Sequence, residues 1–148
     1  MPKPPSDVLW QRKDIMLVAA GSGPCLRELY FRAVAQGKLQ QLMLCRMTDD
    51  AYTMGTAEEK ITRVIKQAAA VKGVQVVVLY LNCLDILTRI DFDYLESNLS
   101  EVTGVMVRCL FRGPLGKMDI GHFKPVGEFM AELPEENGCI SHNQYQLP

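Results

Sequence analysis

Ile15-Met16-Leu17-Val18-Ala19-Ala20-Gly21-Ser22-Gly23-Pro24-Cys25 is the stretch whose reading decides the fold. A short apolar run breaks into glycines and then a proline, the order expected of a buried strand, a tight turn and the first positions of a helix. The residues that follow keep helical spacing. Leu26, Leu29, Tyr30, Ala33 and Val34 recur at i, i+3, i+4, i+7 and i+8, and Gly37 ends the run.

The same alternation continues outward. Leu39 to Arg46 predicts a second strand, followed by a polar loop from Met47 to Gly55. Thr56-Ala57-Glu58-Glu59 reads as a capping box, with the Thr56 hydroxyl and the Glu59 carboxylate each satisfying the other's free backbone amide. The helix it opens sets Ile61, Val64, Ile65, Ala68 and Ala69 on one face and stops at Gly73. Val74 to Leu81 is nearly continuous in apolar residues, as strands covered on both faces are. Asp91 predicts the cap of a third helix, with Phe92, Leu95, Leu99 and Val102 facing inward and Gly104 at its end. Val105 to Phe111 reads as a fourth strand, Gly113-Pro114-Leu115-Gly116 as a loop, and Gly121 to Leu133 as one more helix despite Pro125 and Gly127.

Strand and helix thus alternate repeatedly, which predicts an α/β fold: three layers around a doubly wound, mainly parallel, Rossmann-like sheet of about four or five strands. The expected organisation is a Pro-rich arm over residues 1–14, ordered where something receives Trp10, an α/β domain over 15–133, and a polar tail over 134–148.

Composition narrows the function. The chain has 148 residues, 48% apolar and 22% charged, with a formal net charge of -1, which speaks against disorder and against a polyanion-binding surface. No nucleic-acid partner is expected. The basic and apolar stretch from Arg12 to Ala20 has the look of a signal peptide, but it runs straight into the strand-to-helix turn and reads as a strand. No apolar run approaches the roughly eighteen residues of a membrane span, so no membrane partner is expected either. Five cysteines stand at positions 25, 45, 83, 109 and 139 with no CxxC pair, which favours reduced thiols and a cytoplasmic setting over a disulfide scaffold.

The chemistry is expected from Cys25 and Cys83. With strands one and three side by side, as small doubly wound sheets commonly have them, both thiols would emerge at the carboxyl edge, where such sheets place their sites. Cys25 falls in the first turn of its helix, where backbone amides and the helix dipole favour a thiolate. The plainer reading is that both are small buried hydrophobes. Cys45 and Cys109, inside strands, read as core, and Cys139 as a tail thiol. Two thiolates are half of the four that an iron-sulfur cluster takes, so a partner would supply the rest.

Gly21-Ser22-Gly23 does not continue as G-x-G-x-x-G, since Pro24, Cys25 and Leu26 follow, and only a weak anion-binding signal from the helix start remains. His122 and His142 have no metal-ligand spacing and read as loop residues. The carboxylates Asp49, Asp50, Asp85, Asp91 and Asp93 read as caps and solvated loops, and the scattered methionines as filler of the core.

Gly23-Pro24-Cys25, Leu29-Tyr30-Phe31, Met54-Gly55-Thr56-Ala57-Glu58-Glu59-Lys60-Ile61 and Asn82-Cys83-Leu84-Asp85-Ile86-Leu87-Thr88-Arg89-Ile90-Asp91-Phe92 together carry a resemblance. From about Ile15 to about Leu133 the chain resembles the first Rossmann-like domain of the nitrogenase component 1 family. That family comprises molybdenum-iron protein subunits, cofactor-assembly scaffolds and dark-operative protochlorophyllide reductase subunits. The resemblance matches Cys25 to the cysteine of the family's G-P-x-C turn and Cys83 to the cysteine ahead of its acidic segment. Cys109 falls only loosely near a cysteine that some members carry. The acidic segment departs from the family's G-D-D, being Arg89-Ile90-Asp91, and the family's cluster cysteine upstream of strand one has no counterpart before Pro24.

The resemblance implies an oxidoreductase-like role, an iron-sulfur cluster shared between subunits on Cys25 and Cys83, a homodimer or a hetero-oligomer with a component-1-like protein, and an electron-donor ATPase as a further partner. Members of the family stack three such domains and bind substrate between them, so a complete active site is not expected of this chain alone. The leading expectation is a redox accessory protein that holds or transfers the cluster. The alternative is a cluster-free interaction module that docks on a larger component-1-like partner, and a small-molecule domain using the helix start after Gly23 is the third reading.

Overall fold

The computed structural model describes residues 5–21, 23–47, 56–81, 91–111 and 126–135. A short helix α1 (Pro5–Leu9) leads into β1 (Ile15–Gly21), then α2 (Gly23–Gln36), a 3-10 turn over Leu39–Gln41, β2 (Leu42–Arg46), α3 (Ala57–Ala69), β3 (Val76–Leu81), α4 (Phe92–Thr103), β4 (Met106–Phe111) and α5 (Val126–Ala131). The strands form one sheet in the order β2-β1-β3-β4, and every pairing is parallel. The expected α/β, Rossmann-like class and the adjacency of strands one and three are both observed.

The reason lies in β1 and β3, which are buried along their whole length. A strand alternates its side chains between faces, so an unbroken apolar run demands a cover on each side. Met16, Val18 and Ala20 point into one core with Ile61, Ile65 and Ala68 of α3 and Phe92, Leu95 and Leu99 of α4. Ile15, Leu17 and Ala19 point into the other, with Trp10, Leu26, Leu29 and Ala33, and with Phe129 of α5. Each fully buried aliphatic or aromatic side chain here contributes about 1.5–3 kcal/mol relative to exposure.

Local expectations hold in part. Asp91 caps α4, its Oδ1 accepting the Tyr94 N–H at 3.0 Å, and Gly104 ends the helix at φ 73°, a left-handed conformation that glycine adopts without steric cost. Thr56 does stand at the N-cap of α3, but its backbone is helical rather than extended and its side chain makes no capping bond, so the expected capping box is not formed. Helical periodicity also overreached at two ends: Val34 and Val102 are exposed in the last turns of their helices, Val34 even though its neighbour Ala33 is fully buried. The second strand begins at Leu42, since Leu39–Gln41 coil into the 3-10 turn.

The described residues before β1 are received by the domain. Trp10 is fully buried and donates from Nε1 to the Gln41 carbonyl at 3.3 Å. Gln41 Nε2 in turn donates to the carbonyls of Arg12 at 2.6 Å and Ile15 at 3.2 Å. The fully buried Asp14 carboxylate accepts two bonds from Arg12, at 3.0 and 2.7 Å, and the Asp14 carbonyl accepts the N–H groups of Gln75 and Val76 at the start of β3. These bonds clamp the amino end of the sheet.

Candidate functional site

The opposite, carboxyl end of the sheet carries the residues of interest. Ala20 of β1 is the partner of Leu81, the last residue of β3, so the two central strands end level with one another. Neighbouring strands lie about 4.8 Å apart in the hydrogen-bonding direction. Beyond β1 only one residue intervenes before α2, and Cys25 is the third residue of that helix, where its backbone is described. Cys83 lies outside the described residues, two positions after the end of β3. His122, His142, Cys139, Asp49, Asp50 and Asp85 also lie outside them.

Arg46 is the last residue of β2 and pairs in register with Gly21, and the Met47 N–H donates to the Gly21 carbonyl at 2.8 Å. That continuation of the ladder sets the Arg46 guanidinium against the start of α2. A Cβ added at Gly23 would meet its Nε at 3.4 Å and Nη2 at 3.5 Å. Those distances are ordinary van der Waals contact, so the guanidinium packs directly against the first residue of α2 without requiring glycine there. Gly23, Pro24, Leu26, Arg27, Tyr30, Leu44 and Arg46 line a cleft of about 500 Å³.

The remaining described cysteines behave as core. Cys45 and Cys109 are buried among the residues shared by the sheet, α3 and α4. Burial pushes the Cys109 thiol well above its ordinary value, and the neighbouring Glu96 carboxylate raises it further. The same carboxylate accepts the Cys109 backbone N–H at 2.6 Å. A thiol held protonated in this way is a poor nucleophile and a poor metal ligand.

Among the described residues no three His, Cys, Asp or Glu side chains come together as a metal site. The donor set that the sequence proposes is instead two cysteines, half of a cluster's usual four, which two copies could complete. Sequence reasoning passed over Arg27 and Arg46. The signal was present at Arg46: a strongly polar residue closes the otherwise apolar run Leu42–Cys45, which places a charge at the strand end.

No helix among the described residues is long and apolar enough to cross a membrane. No protein-family model matches the chain, and no curated protein matches it significantly.

Proposed function

We propose that this chain is a nitrogenase component 1-like redox accessory protein that holds or hands over an iron-sulfur cluster at a subunit interface. In this reading Cys25 and Cys83 of two copies, or of one copy and a component-1-like partner, contribute four thiolates to one inorganic core. The observation that supports it is the level ending of β1 and β3, whose terminal residues Ala20 and Leu81 are register partners. The backbone thus enters both cysteine-bearing segments from adjoining strand ends. The position of Cys25 in the first turn of α2 adds to this, because the helix start favours the deprotonated sulfur that iron requires. Cytoplasmic residence and an electron-donor ATPase belong to the same proposal.

Oxygen-free purification followed by iron and acid-labile sulfide analysis tests it. The expected result is a brown protein containing both, with iron and colour lost together in Cys25→Ala and in Cys83→Ala. Colourless, iron-free wild-type protein prepared without oxygen would overturn the proposal.

The second reading, a cluster-free module docking on a larger partner, has one observation in its favour: Phe31 is 61% exposed and Val34 47% exposed on α2. Co-purification from the native host separates the two, since a docking module retains its partner when both cysteines are replaced.

A further inference from the structure

The cleft beside the start of α2 has a chemistry that the thiols do not use. Among the described residues its lining includes two guanidiniums, Arg27 and Arg46, and no carboxylate; Pro24, Leu26 and Leu44 give it apolar wall, and Tyr30 adds a ring with a hydroxyl. Two other arginines are neutralised by carboxylates. Arg12 pairs with Asp14 at 2.7 Å and Arg32 with Asp7 at 3.4 Å. Among the described residues neither Arg27 nor Arg46 has an ion pair.

Arg46 is also placed against its electrostatic preference. Its guanidinium lies over Gly23, the first residue of a fourteen-residue helix, where the exposed amides carry partial positive charge. Two cations and a positive helix end sharing one concavity repel each other, and an anion in the cleft would convert that repulsion into attraction. Guanidinium forks match the oxygens of phosphate in pairs, which a point charge such as lysine does not. The cleft volume of about 500 Å³ falls within the roughly 300–1,000 Å³ usual for small-molecule sites.

We infer that this cleft binds a phosphorylated small molecule, with the phosphate held by Arg27 and Arg46 and the organic part resting on Leu26, Leu44 and Tyr30. The inference draws on neither Cys25 nor Cys83, so its test is separate from that of the cluster.

Calorimetric titration of the full chain with phenyl phosphate and with inorganic phosphate tests the inference. Saturable binding of one phenyl phosphate per chain is expected, tighter than that of inorganic phosphate. Arg27→Gln and Arg46→Gln should each weaken it by at least about tenfold, because each removes a charge-assisted pair of hydrogen bonds. Arg63→Gln, an exposed change on α3, should leave it unchanged, and unaltered melting temperatures would show that all variants fold. Absence of saturable binding, equal affinity in wild type and both cleft variants, or equal affinity for the two phosphates would overturn it.

Discussion

At the amino end of the sheet a tryptophan indole, a glutamine amide and a buried carboxylate meet their partners at 2.6 to 3.3 Å. At the carboxyl end two arginines face a cleft with no carboxylate among the described residues, and the helix that begins there carries Cys25. The same four strands run between these ends, so the difference is not one of fold. It lies in the charges: the Arg12 and Asp14 charges pair with one another at the amino end, although the Gln75 Oε1 there is buried with no partner among the described residues, whereas Arg27 and Arg46 at the carboxyl end have no ion pair among those residues. Stability should therefore reside at the amino end and binding at the carboxyl end.

The largest expected effect comes from breaking the closed end. Trp10→Ala should cost about 3–5 kcal/mol, as truncation of a fully buried tryptophan does, and chemical denaturation will measure it. Asp14→Ala should cost about 3 kcal/mol, the lower end of the range for breaking a buried pair, because Arg12 retains 14% exposure and some solvation. A loss below about 0.5 kcal/mol in both would erase the distinction between the two ends.

The pH dependence sharpens the comparison from inside the core. Cys109 is held protonated in the folded chain, whereas the unfolded thiol ionises at the ordinary value of 9.0. Its folded-state value is raised, so the unfolded state loses its proton first and stability falls as pH rises above that ordinary value. The slope from this one group is at most about 1.4 kcal/mol per pH unit, and Cys109→Ala should flatten it in denaturation curves collected at alkaline pH.

Asp91→Ala should cost about 1 kcal/mol through loss of the α4 cap, while Asp91→Asn should recover most of it. Smallest of all, Arg27→Gln and Arg46→Gln should alter stability by no more than about 0.5 kcal/mol, since neither arginine has an ion pair among the described residues. A clear loss of stability in these would mean that the cleft is structural.

Much of this architecture was legible in the residues. The apolar runs ending at Ala20 and Leu81, each with helical spacing downstream, specify buried parallel strands, because no other element buries so short a run on both sides. The cap at Asp91 was legible for an equally local reason: its side chain reaches an amide three residues on. The role of Trp10 could be framed only conditionally, because its receiving carbonyl is 31 residues away in the chain. Arg46 escaped notice on similar grounds. The local pattern puts a charge at the end of β2, but what that charge faces comes from the register that sets it beside Gly21 and over Gly23, and register belongs to the folded sheet. Cys25 and Cys83 were singled out by strand order, and the β1–β3 pairing bears out that order.

Native mass spectrometry on oxygen-free protein puts the central claim to its most direct test, because it counts chains and inorganic atoms in one particle. The account predicts an assembly of two 16.6 kDa chains, or of one such chain with a larger partner, carrying the added mass of a single iron-sulfur core that disappears when Cys25 or Cys83 is replaced by alanine. An assembly with no added mass, or a cluster retained after both replacements, would contradict it.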